Sequence, residues 1–144
     1  YTYIFKQRRY YPKMKSIKVI KSIMSQSQDK ALVKFNFLVT FFLYYSTKKI
    51  FKKGLCKCPK MNLKLYNSVF ETRKDTIDFW AVSSLHEKEM TKYLVSKKEK
   101  GTFIDVGTHI GRYSVLMAKK GWNVHSFEPV KATLNQLKKK HFKK

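Results

Sequence analysis

Apolar residues recur along this chain with several different spacings, and each spacing predicts a different element. Residues 31–47 (ALVKFNFLVTFFLYYST) are apolar almost without a break, with only Asn36 and Thr40 interrupting Phe35–Tyr45. The stretch predicts one helix, either buried as a core or lid element or lying at an interface; it is too short to span a bilayer. From Asn62 the pattern shortens. Asn62–Phe70 and Thr76–Val82 are rich in Leu, Val, Ile, Tyr, Phe and Trp, with the polar Glu71-Thr72-Arg73-Lys74-Asp75 between them, which predicts a strand pair with its hairpin turn at 71–75. Ser84-Leu85-His86-Glu87 then has the form of a capping box. Met90, Tyr93 and Leu94 follow at helical spacing, so a helix is expected over about residues 85–98, ending at Lys100-Gly101.

Residues 102–140 alternate more regularly. Thr102–Val106 is β-prone, Gly107–Gly111 is a turn, and Tyr113, Leu116, Met117 and Lys120 mark a helical face closed by Gly121. Trp122–Phe127 is the next strand, ending on Glu128. Pro129 opens another helix whose inner side takes Val130, Leu134, Leu137 and His141. Strand, glycine loop, helix, strand, acid and helix in this order predict an α/β protein: the first half of a Rossmann-like, doubly wound parallel sheet. A basic helical N-terminal segment and a β-hairpin precede it. The expected division is 1–61 for the basic segment with its apolar helix and 62–144 for the α/β unit. The chain opens on Tyr1 and stops at Lys144 within a predicted helix, so it is read as a fragment of a longer protein, and residues 1–30 as a poorly ordered arm in which Met14 and Met24 are candidate initiators.

Charge modifies this picture less than its size suggests. The sequence carries 32 Lys+Arg against 9 Asp+Glu, a net +23. The excess runs along the whole chain, and abundant Lys, Ile, Phe and Tyr with scarce Ala and Gly is also what A/T-rich coding would give. Binding to nucleic acid is therefore expected to be non-specific, through charge alone. Lys48, Lys49, Lys52 and Lys53 follow the apolar stretch and would suit peripheral contact with anionic lipid. Cys56-Lys57-Cys58 is half a zinc site at most, and the four histidines complete no ligand pattern, so no metal is expected and both cysteines are read as reduced thiols in a cytoplasmic protein.

The candidate chemistry lies in the glycine loop. Gly107 lets the chain leave its strand sharply, Gly111 permits close packing of the following helix, and Glu128, 23 residues after Asp105, can accept both hydroxyls of a ribose. A pyrophosphate-bearing dinucleotide would need glycine where His109 stands, so a nucleoside cofactor without pyrophosphate fits better. No Gly-Lys-Ser/Thr follows, which excludes a P-loop.

Phe103-Ile104-Asp105-Val106-Gly107-Thr108-His109-Ile110-Gly111, Tyr113-Ser114 and Phe127-Glu128-Pro129 resemble the opening motifs of S-adenosylmethionine-dependent methyltransferases, most closely the FkbM-like family. That family has approximately F-x-D-V-G-A-N-I-G-x-Y-S and then F-E-P; this chain departs from it at Thr108 and His109. The resemblance covers roughly residues 76–144. It implies S-adenosylmethionine as cofactor, with Asp105 near its methionine amino group, Gly107, Thr108, His109 and Gly111 along the methionine portion, and Glu128 on the ribose. The implied reaction is methyl transfer to a hydroxyl oxygen of a small molecule or glycan, with no catalytic base identified. The alternatives are a basic module binding nucleic acid or a membrane surface, and an inactive truncated fragment.

Overall fold

The computed structural model describes residues 16–51 and 57–141. Six helices and two two-stranded sheets make a mixed α/β structure: α1 (Ser16–Gln26), α2 (Ala31–Phe51), β1 (Asn62–Leu65), β2 (Ser68–Glu71), α3 (Asp78–Val82), α4 (Lys88–Ser96), β3 (Thr102–Val106), α5 (Arg112–Lys119), β4 (Asn123–Phe127) and α6 (Lys131–His141). Among the described residues, no helix is long and apolar enough to cross a membrane.

The segment expected to be a poorly ordered arm is helical from Ser16. Val19 and Ile23, four residues apart on one face of α1, are fully buried, which is the spacing that drives an amphipathic helix onto a core. Two polar side chains then fix the chain beyond it. Gln26 donates its amide to the carbonyls of Lys64 and Val82. Asp29 accepts both the backbone N–H and the side-chain amide of Asn62. Helix α2 adds Phe37, Phe41 and Tyr44 from its inner face, and Phe37 meets Phe79 edge-on with ring centres 5.2 Å apart. One core cluster takes in Val19 and Phe37, the hairpin's Leu63 and Phe70, and Val115 and Leu116 of α5, so it runs across residue 61. Cys58 is buried within it; Cys56 lies outside the described residues.

The hairpin falls earlier than its apolar pattern suggests. β1 pairs antiparallel with β2, Leu65 opposite Ser68, through the two-residue turn Tyr66-Asn67, with Tyr66 in the left-handed region at φ +50°. Thr76–Val82 is not its partner strand, and α3 occupies 78–82 instead. The cause is Asp78, buried to 1% exposure, whose carboxylate accepts the backbone N–H and the guanidinium of Arg73 and turns the chain where a strand would have continued. The predicted capping box is also absent. Helix α4 starts at Lys88 after Glu87 in the left-handed region, with no side-chain cap. Ser84 N–H instead donates to Gln26 Oε1, and the Glu87 carboxylate accepts the Tyr113 hydroxyl. Tertiary partners outcompete the local motif.

The unit β3–α5–β4 follows the expected order. The strands are parallel with Asp105 opposite Ser126 and Val106 opposite Phe127, and Gly121 at φ +84° ends the intervening helical stretch. The inner face of α5 differs from the expectation at its edges: Arg112, Ser114 and Val115 are buried with Leu116 and Met117, whereas Tyr113 and Lys120 are half-buried. In α6, Thr133 and Leu137 point inward and Leu134 is half-buried, whereas Val130, just before the helix, is exposed. One face of the parallel pair receives α5. On its other face Ile104, Val106 and Phe127 are exposed, Val106 to 80%.

Candidate functional site

The loop that joins β3 to α5 turns through three left-handed residues, Gly107 (φ +80°), His109 (φ +52°) and Gly111 (φ +82°). At Gly111 the left-handed backbone calls for glycine, and a side chain there would also displace the tip of Leu137. A side chain there would be strained, and its Cβ would lie 2.3 Å from Leu137 Cδ1 of α6. The close approach read from the sequence as helix against sheet is thus helix α6 against the loop. At Gly107 a Cβ would meet nothing within 4 Å, so only the backbone conformation calls for glycine and the space above it is open. His109 holds a left-handed position that Asn and His tolerate better than most residues.

Asp105, next to last in β3, lies beneath this loop. Its Oδ2 accepts the Thr108 hydroxyl at 2.8 Å, the Ser114 backbone N–H at 3.1 Å and the Ser114 hydroxyl. The Ser114 and Ser126 hydroxyl oxygens are 2.7 Å apart, which carries the network across to β4. One carboxylate oxygen thereby ties strand end, loop and the first turn of α5, where negative charge also suits the helix dipole. No bond to Oδ1 is present among the described residues. Sequence reasoning gave Thr108 as a cofactor-loop residue but missed its bond to Asp105. It also missed Ser126, which the parallel register alone places beside Asp105.

Glu128 does for α6 what Asp105 does for α5. Its Oε2 accepts the His109 backbone N–H and its Oε1 the Val130 backbone N–H, each at 2.8 Å. Three further loop amides are also turned inward: those of Gly107 and Thr108 donate to Phe127 O, and that of Gly111 to Thr108 O. Those amides are therefore directed into the loop's own structure, which does not form an anion cradle.

Behind the loop stands a polar cluster that the sequence did not reveal. Arg73 donates through Nε and Nη2 to Asp78, through Nη1 to Thr133 of α6, and through Nη2 to His109 Nε2 at 2.8 Å. Because Nε2 accepts that bond, the neutral ring carries its proton on Nδ1. Burial lowers the His109 pKa below its ordinary 6.5; Asp78 opposes and Arg73 reinforces the effect. At Asp78, burial works to raise the carboxyl, but the hydrogen bonds and charge of Arg73 together with His109 hold it below its ordinary 3.8. The neutral His109 thus offers an Nδ1–H donor. Its Nε2 lone pair is committed to Arg73, which argues against a role as general base.

The six residues singled out from the sequence, Asp105, Gly107, Thr108, His109, Gly111 and Glu128, all come together at the carboxyl end of the parallel strands. Among the described residues, no group of three His, Cys, Asp or Glu side chains is placed to hold a metal ion. No protein-family model, curated protein or solved structure matches the chain.

Proposed function

We propose that the loop 105–111 with Glu128 binds S-adenosylmethionine and that the chain supplies the cofactor side of a methyltransferase. The observation that carries the reading is the placement of Asp105 and Glu128 at the carboxyl ends of neighbouring parallel strands, on either side of a glycine loop whose outer surface is open at Gly107. Ligands of doubly wound sheets bind at such an edge, and the finer Rossmann-like architecture belongs to this proposal.

The parts divide the work as follows. Asp105 keeps Oδ1 for the methionine ammonium while Oδ2 holds the loop. Each Glu128 oxygen accepts one backbone bond and retains a second acceptor site for a ribose hydroxyl. The inward-turned amides fit a cofactor that carries no phosphate, and the His109 Nδ1–H is available to an acceptor atom on the methionine portion. The acceptor would be a hydroxyl of a small molecule or glycan attacking the sulfonium methyl in line, with alignment supplying much of the rate gain, up to roughly 7–11 kcal/mol in favourable cases. The FkbM-like resemblance of Asp105–Gly111 and Phe127–Pro129 supports this reading, and the left-handed φ of His109 accounts for a position where Asn is usual.

Isothermal titration with S-adenosylhomocysteine tests it. Binding that Glu128→Ala weakens by about tenfold or more, as expected from losing charge-assisted bonds worth about 1.5–3 kcal/mol each, supports the ribose role. Equal affinity in the variant removes it.

A further inference from the structure

Helix α2 is apolar on two opposite faces, and the described structure uses one. At 100° per residue, Phe37, Phe41 and Tyr44 share the face that enters the core. The opposite face carries Leu32, Phe35, Leu38, Val39, Phe42, Leu43 and Ile50, all exposed, with Leu32, Phe42 and Ile50 at 70% or more. These seven positions fall within an arc of about 140° and run for about 27 Å along the helix axis. Helix α2 contains no Asp or Glu. Lys48, Lys49, Lys52 and Lys53 stand at its C-terminal end in the sequence.

We propose that this face of α2 docks on an anionic lipid bilayer, with the helix lying flat at headgroup depth. Charge decides between the surfaces that could cover it. A second copy would bring another +23 against the first and repel it, whereas anionic headgroups attract the same charge. A nucleic acid would satisfy the charge but leave seven apolar side chains in water. A bilayer interface satisfies both: an apolar helix face reaches about 5–10 Å into the acyl boundary while cations meet the headgroups. The proposal is independent of the cofactor reading.

Co-sedimentation of the full chain with phosphatidylcholine vesicles, with and without phosphatidylserine, provides the test. The chain should partition onto vesicles containing phosphatidylserine. Phe35→Ser with Phe42→Ser should reduce partitioning by about tenfold or more, given the apolar area withdrawn from the membrane. Val106→Ser with Phe127→Ser, on the bare sheet face, should leave it unchanged. Both pairs are exposed, so circular dichroism should show folded variants. Undiminished partitioning of the α2 variant would overturn the proposal in favour of charge alone. So would a dimer, seen by light scattering, that the α2 variant dissolves while the wild type ignores vesicles.

Discussion

Glu128 and His109 are joined side chain to backbone, not side chain to side chain: Glu128 Oε2 accepts the His109 backbone N–H at 2.8 Å. The bond links the end of the second parallel strand to the middle of the loop that leaves the first. It also frees the imidazole to turn toward Arg73 and Asp78. An acid expected only to meet a ribose therefore has a prior task, holding the loop in the shape a ligand would find. Asp105 has the matching task on the other strand. Capping and ligand binding are compatible here because a carboxylate has about four acceptor sites and each of these acids spends only some of them on the backbone.

The two loop glycines should respond differently to alanine. Gly111→Ala meets both left-handed strain and the Leu137 side chain, and should cost about 2–3 kcal/mol. Gly107→Ala meets strain alone and should cost about 1 kcal/mol. Urea unfolding of both variants checks the order, and equal losses would mean that the Leu137 contact contributes nothing.

Arg112 should prove indispensable to the fold. It is buried, and its guanidinium donates to the carbonyls of Ala81, Ser83 and His86 and to the Thr91 hydroxyl, pinning the start of α5 to α3, α4 and the segment between them. Arg112→Met would leave three carbonyls, that of Ser83 buried and those of Ala81 and His86 half-buried, without this donor, at a cost of about 3 kcal/mol or more. Arg112→Lys should rescue little, since an ammonium cannot reproduce the planar fork. Chemical denaturation in which either variant matches the wild type would contradict the pinning role.

Stability should fall in two stages on acidification. His109 and His86 both have pKa values lowered in the fold, in each case first by burial; at His86 Arg112 reinforces this while Glu87 opposes it. The unfolded chain therefore binds protons first as the pH drops below about 6.5, so their contribution is complete above that value and is lost below it. Asp78, held low by Arg73 against its own burial, contributes above about 3.8 and loses that contribution as the pH falls through its folded value. His109→Asn, which suits the left-handed backbone, should flatten the first stage. A thermal midpoint in the wild type that stays level from about pH 8 to 5 would contradict the assignment.

Binding to polyanions should follow charge and ignore sequence. Filter binding to random duplexes should weaken steeply and log-linearly with added salt. Affinity that is unchanged between low and high salt would point to specific recognition instead.

The parallel unit was legible in the sequence because its signals are local and agree. Gly107, Gly111 and Gly121 sit where positive φ is required, and β-prone runs flank them. The hairpin and α3 were misplaced because Thr76–Val82 has strand composition while its fate is set by buried Asp78 paired with half-buried Arg73, which no periodicity marks. The capping box at Ser84–Glu87 failed for a similar reason, its two polar side chains being claimed by the Ser22 and Tyr113 hydroxyls from distant segments. Within the site, the acids and glycines were visible by spacing. Ser126, Arg73 and Thr133 were not, since they are brought together only by strand register and by the packing of α6.

The most direct test of the cofactor reading is amide chemical-shift mapping of the chain during titration with S-adenosylhomocysteine, which detects weak binding as well as tight. Saturable shifts centred on Asp105–Gly111 and Glu128–Val130 are expected, and they should be lost in Glu128→Ala. Shifts that cluster elsewhere, that are diffuse over the basic surface, or that are absent at saturating ligand would contradict it.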